Sequence, residues 1–430
     1  MMRGLSKRWS GRKPARTAGA GSLPARAGHR RRWTAAAALA VAAMTLVALA
    51  GAGTAWAQAD PIKIGVIHDG SGPLRTYGEQ QVRGLRLGIE YATGGTFEVL
   101  GRPIQLIIED DASDPQRAVQ AVRKLLELDQ VDVVQGTSSS GAALAVIPEI
   151  ERHRKIFMVD PAAADSITGA DFSRYVFRTG RNVSQDALTG AAYLVSEGRR
   201  RFMNLGPDYA FGHDSAAAWS RVIIENGGEM IGDIFAPQDT RDFTPYLQRL
   251  LAARPDGVVV TWAGAGAVTL FQQIAEMGLY DRMLVFTGIG DMSALRAMGT
   301  ESGGLVGVIT YYYELPSNPI NDWLVRRHYE EYGEPPDLFT AGGMAAGIAI
   351  VEAIRQAGTT DAEALIQVLE GMSFDGPKGR YTFRPEDHQA LQPMYVARLE
   401  IKPGYDYPVP VLVQEFAPED TAPPIMVPTR

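Results

Sequence analysis

Val131-Asp-Val-Val-Gln-Gly-Thr-Ser-Ser-Ser-Gly-Ala-Ala-Leu-Ala-Val-Ile-Pro-Glu-Ile150 reads as a buried strand, a turn of small residues and a helix. Val131, Val133 and Val134 are apolar and β-branched, Gly136 ends the run, and Ser138, Ser139 and Ser140 stand where a helix N-cap belongs. Backbone N–H groups and three hydroxyls converge at that helix start. Such a loop can hold an anion, a carboxylate or a phosphate, with no catalytic group beside it. The plainer alternative is that one of the serines only caps the helix.

The same strand, loop and helix pattern extends outward in both directions. Upstream, strands are expected over 62–67 and 103–109, with a helix from Tyr77 to the Gly94-Gly95 pair and another that Asp114-Pro115 starts. Downstream, strands over 155–160, 201–205, 229–235, 257–261 and 283–287 alternate with helices as far as 277. The last third holds a strand over 305–313, helices over 322–332, 338–356 and 361–369, a hairpin at Gly376-Pro-Lys-Gly379 and two closing strands. Strict alternation implies parallel, doubly wound α/β sheets, with enough units for two, and places binding loops at the carboxyl ends of the strands.

A chain of 430 residues exceeds one compact core, so two domains are expected. There are no cysteines, which excludes disulfides, thiolate metal sites and an acylated cysteine anchor. Residues 1–57 differ from the rest: ten Lys or Arg and no acid, an apolar run over 34–50, then Ala55-Trp56-Ala57. This is the pattern of a cleaved secretory signal, by a twin-arginine or a general export route, and the mature protein is expected to begin at Gln58 in the periplasm. Cleavage turns a net charge of −7 into −17, with 32 basic residues against 49 acidic ones. Nucleic acid and anionic membrane surfaces are poor partners for such a chain.

Familiar chemistry is mostly missing. The five histidines beyond the signal, His68, His153, His213, His328 and His388, show no metal spacing, so neither a metal nor another cofactor is expected. The segment from Gly136 to Ser140 ends in serine where a nucleophile elbow has glycine, and no histidine is marked as a base; a secreted hydrolase using Ser138 stays the weakest reading. Neither Walker A nor GxGxxG occurs. What stands out instead are aromatic residues at loops and strand ends: Tyr77, Tyr209, Phe211, Trp262 and the run Tyr311-Tyr312-Tyr313. They can wall an apolar ligand.

Several motifs occur in one order: Ile62-Lys-Ile-Gly, Ser71-Gly-Pro, Tyr77-Gly-Glu, Asp110-Asp with Asp114-Pro-Gln, Gly136-Thr-Ser-Ser-Ser, Phe177-Arg-Thr, Asp208-Tyr-Ala-Phe-Gly and Asp242-Phe-Thr-Pro. In this the chain resembles the periplasmic binding proteins of branched-chain amino acid ABC importers, the leucine-binding type of class I solute receptor, over essentially its whole mature length. The resemblance implies the type I periplasmic binding protein fold: two Rossmann-like lobes, three hinge crossings and a ligand in the interlobe cleft. One lobe would be 60–179 plus 312–387, the other 180–311 plus 388–416, with 417–430 a loose tail. It also implies a protein that is not an enzyme, works as a monomer, binds a small carboxylate and hands it to the membrane permease of an ABC importer.

By the same resemblance, Ser138 and Ser139 hold the ligand carboxylate, Ala162, Ala163 and Ala164 form the next loop, and Tyr77 closes from the first loop. Phe211 and Trp262 come from the second lobe, and Tyr209 joins them as a candidate on its position alone. The family's ammonium-binding positions fall on Ala164 and Ile289, neither of which carries a side-chain acceptor, with Asp291 or Asp165 as possible substitutes. A buried ammonium without partners is costly. An aromatic or other non-amino acid is therefore favoured over a branched-chain amino acid, and a ligand sensor for a membrane signalling receptor is the alternative role.

Overall fold

The protein is described from a computed structural model covering residues 59–428, apart from 197 and 265 and the side chains of 191, 192, 196, 289 and 301. The expected signal at 1–57 lies outside the described residues. The first sheet forms from β1 (Ile62–His68), β2 (Glu98–Val99), β3 (Arg102–Asp110), β4 (Val133–Gly136), β5 (Ile156–Val159) and β6 (Val176–Arg178), in the order β2-β3-β1-β4-β5-β6. All its pairs are parallel except the short β2–β3 hairpin at the edge. Between these strands run α1 (Arg75–Ala92), α2 (Pro115–Arg123) and α3 (Ser140–His153). The expected signals do act locally. Asp114 caps α2 by accepting from the N–H groups of Gln116 and Arg117, both at 2.8 Å, with Pro115 in the first turn.

The second lobe repeats the pattern with α4 (Val183–Ser196), β7 (Arg201–Pro207), α5 (Ala210–Glu225), β8 (Glu229–Ala236), α6 (Thr244–Ala253), β9 (Gly257–Val260), α7 (Gly266–Glu276), β10 (Leu284–Ile289), α8 (Met292–Met298) and β11 (Val306–Ile309). The chain then returns through α9 (Pro319–Tyr332), α10 (Leu338–Ala357) and α11 (Ala362–Leu369) to a small sheet of β12 (Ser373–Gly376), β13 (Gly379–Phe383) and β14 (Ala390–Leu391). It ends with β15 (Met394–Glu400) and β16 (Val409–Phe416) on the second sheet, whose order is β16-β15-β11-β10-β9-β7-β8. Of the two closing strands, β15 runs antiparallel to both β11 and β16, so the second sheet is mixed where strict alternation implies a parallel one. The chain thus passes between the sheets three times: after β6, after β11 and between β14 and β15.

The strand expected over 305–313 stops at Ile309. Thr310 and the three tyrosines that follow belong to the second crossing, where the buried Tyr311 hydroxyl donates to Asn321 Oδ1 at 2.7 Å. The longest helix, α10, packs face to face on α1 through glycines. A Cβ on Gly84 would lie 2.1 Å from the Thr340 carbonyl oxygen, and one on Gly343 would lie 2.3 Å from that of Gln81. With no side chains between them the two backbones approach closely, and α10 is buried along most of its length.

Candidate functional site

The loops at the carboxyl ends of both sheets face one another, which is where an open α/β sheet binds ligands. Tyr77, on the first turn of α1, reaches across to the second lobe: its hydroxyl accepts from the N–H of Gly264 at 2.9 Å. Gly264 needs its positive φ of 87°, and a Cβ there would lie 2.6 Å from the Pro73 carbonyl oxygen of the first lobe. The lobes therefore stand closed on each other. Between them lies a cavity of ≈ 80 Å³.

Its wall is mainly aromatic. Tyr77 and Phe339, with ring centroids 3.9 Å apart, come from the first lobe; Phe211, Trp219 and Trp262 come from the second. Trp262 is braced edge-on by Phe243 at 4.7 Å, and its indole Nε1 has no hydrogen-bond partner. Polar groups are few: Thr261, Thr287 and Thr310, and the pair Arg181 and Asp186. Arg181 Nε lies 3.4 Å from Asp186 Oδ2, near enough for an ion pair but outside hydrogen-bond geometry, and Asp186 Oδ1 also has no partner. Burial pushes the Asp186 carboxyl up, and the nearby Arg181 pulls it back.

Tyr77, Phe211 and Trp262 thus line the cavity as expected residues, while Arg181, Asp186, Phe339, Trp219 and the threonines were not expected. Tyr209 packs beside Phe211 with centroids 6.0 Å apart but does not line it, and burial raises its phenol. The serine loop is not on the lining either, because its hydroxyls are engaged inside the protein. Ser139 caps α3 through the N–H of Ala142, Ser140 Oγ accepts from the N–H groups of Ala163 and Ala164, and Ser138 Oγ lies 3.4 Å from Gln81 Oε1. Ala162, Ala163 and Ala164 are buried. Ile289 ends β10, and its side chain is outside the described residues.

Neither substitute acid reaches the cavity. Asp291 caps α8, accepting from the Ala294 N–H at 2.8 Å and the Ser293 hydroxyl at 2.5 Å; Asp165 accepts from the N–H of Ser184 at 3.1 Å and also from its hydroxyl. Asp291 lines instead a larger cavity of ≈ 250 Å³ at the cleft rim, among charged side chains of both signs such as Glu79, Arg83, Arg296 and Glu334. Size does not make that the better site. The smaller cavity has the aromatic wall and sits at the strand ends of both sheets.

A family profile for periplasmic binding proteins matches residues 61–404. Leu/Ile/Val-binding protein homolog 6 of Brucella melitensis is 26% identical over 365 residues, spanning 82% of this chain and 91% of that protein. Among solved structures, an ABC-type branched-chain amino acid transporter of Rhodopseudomonas palustris CGA009 is 40% identical with a TM-score of 0.72, covering 86% of this chain and all of that one. A solute binding protein of an ABC transporter from Rhodopseudomonas palustris BisB5, in complex with 3,4-dihydroxybenzoic acid, is 28% identical with a TM-score of 0.76, covering 83% and 98%. The two-lobed α/β architecture, the interlobe cavity and a profile match over most of the length agree: this chain belongs to the periplasmic binding protein family and is a periplasmic solute-binding protein of an ABC transporter.

Proposed function

We propose that this receptor captures a small aromatic carboxylate in its interlobe cleft and delivers it, as a monomer, to the permease of an ABC importer, catalysing nothing itself. The observation that carries this reading is the cavity lining: five aromatic rings around Arg181, the one cation on that lining among the described residues. Flat apolar faces suit a ring, and a carboxylate leaving water needs a charged donor. The 3,4-dihydroxybenzoic acid held by the BisB5 relative supports the same ligand class. We take the lobes as 60–179 plus 312–387 and 180–311 plus 388–416, with export by cleavage before Gln58.

A second reading, a branched-chain amino acid, is favoured by one feature, the unpartnered Asp186 Oδ1 on the same lining, which could receive an ammonium. Calorimetric titration separates the two. Benzoate is expected to bind at least tenfold tighter than leucine, about 1.4 kcal/mol. Tighter binding of leucine or valine would overturn the aromatic reading and make Asp186 the ammonium partner.

A further inference from the structure

Beside the aromatic cavity lies a second space of ≈ 20 Å³, and the two share Arg181, Thr310, Leu338 and Phe339 as walls. The annex is closed by Asp160, Thr179, Lys378, Tyr381 and Gln392. Its volume is that of one oxygen with its hydrogens, since a site needs about 10–15 Å³ to hold a water-sized group.

Its polar atoms are unusually free. Asp160 is 2% exposed and Thr179 also 2%, yet Asp160 Oδ2 and Thr179 Oγ1 have no hydrogen-bond partner. Buried groups of this kind ordinarily are paired. The Asp160 carboxylate is seated in a glycine cradle: a Cβ on Gly342 would lie 2.6 Å from its Oδ1, and one on Gly180 would lie 3.1 Å away. Lys378, 5% exposed, gives its Nζ to Gln392 Oε1 at 2.9 Å and has further protons to donate. A group that fits this space must be small and polar, and it pairs with the Asp160 carboxylate by donating a hydrogen bond to Oδ2. It can at the same time accept one from Thr179 or Lys378.

We infer that the annex is the subsite for a hydroxyl of the ligand, so that the receptor selects hydroxylated aromatic acids over unsubstituted ones, with Asp160 as acceptor and Thr179 as second partner. A hydroxyl both donates and accepts. A methyl group would leave both oxygens unpaired, and a second carboxylate would exceed the space and meet Asp160 charge to charge. This inference rests on the aromatic-acid reading of the larger cavity and adds the substituent and the residues that recognise it.

The test is calorimetric titration of the full mature protein with benzoate and with 2-, 3- and 4-hydroxybenzoate, repeated for Asp160→Ala and Thr179→Val. At least one hydroxybenzoate is expected to bind tenfold or more tighter than benzoate, and that ratio is expected to collapse toward one in both variants. The nearly isosteric Thr179→Val keeps the test valid if Asp160→Ala folds poorly. If benzoate binds but no isomer gains, or if the gain survives both substitutions, the annex holds water and the inference is wrong. Failure of all four acids alongside binding of leucine would instead reject the aromatic reading itself, and the subsite with it.

Discussion

At the scale of single residues, Arg181 and Ser138 compete for one role. The sequence pattern assigns the ligand carboxylate to the serine loop, whereas the folded chain has Arg181 on the cavity lining and keeps Ser138 Oγ at a long 3.4 Å from Gln81. Removing a charged partner from a buried carboxylate costs about 1.5–3 kcal/mol. Arg181→Met is accordingly expected to weaken benzoate binding ten- to a hundredfold, and Ser138→Ala to weaken it less than threefold. Titration of both variants checks this, and the reverse order would return the carboxylate to the serine loop.

Among the elements, the pairing of α1 with α10 decides how tightly the first lobe is built. Alanine at an exposed helical glycine stabilises by up to about 1 kcal/mol, so propensity alone favours Gly84→Ala. Here the added Cβ would meet the Thr340 carbonyl oxygen at 2.1 Å, a backbone atom that cannot swing aside. Overpacking of this kind costs about 1–3 kcal/mol or more, which outweighs the propensity gain. Urea denaturation should show Gly84→Ala destabilised by about 2 kcal/mol. An unchanged or raised midpoint would mean that the helices are not in backbone contact.

For the whole molecule, the buried charges make stability depend on pH. Burial pushes the Asp160 carboxyl up to about 7, against the pull of Arg181. Half-buried Asp337 is also raised to about 7, by burial and then by the charge of Asp291 across the cleft; its Oδ2 accepts from the N–H of Met292 at 2.9 Å and so ties α10 to α8. Both acids bind a proton more readily in the folded, closed protein than in the unfolded chain. Their contribution is therefore complete below about pH 4 and is lost as pH rises through 7. Lys378, lowered by burial to about 7, acts in the opposite sense, regaining stability between about pH 7 and 10.5. Thermal melts are expected to show a shallow minimum of Tm near pH 7, higher at pH 5 and pH 9. Asp337→Asn should flatten the acid limb, and a Tm that climbs steadily from pH 5 to pH 7 would contradict this account.

The alternation of strands and helices, the two-lobed α/β class and the family are legible in the residues alone. Those rest on local signals, such as the valines of β4, the Asp114-Pro115 start of α2 and Gly/Ala-rich α10, which act over a few residues wherever the chain goes. The sequence also singled out Tyr77, Phe211 and Trp262, which the fold brings to the cavity lining. Which polar groups meet there depends on how the chain folds. Arg181 and Asp186 follow the first crossing, Thr310 begins the second, Lys378 lies shortly before the third and Asp160 ends the strand region of β5. No periodicity links these positions. A charged residue in a loop is ordinarily solvated, and only the closure of two lobes and three crossings removes water from them. The serines differ for the complementary reason: their spacing fits an anion site, while in the folded chain their hydroxyls pair with α3, with the Ala163 and Ala164 amides and with Gln81.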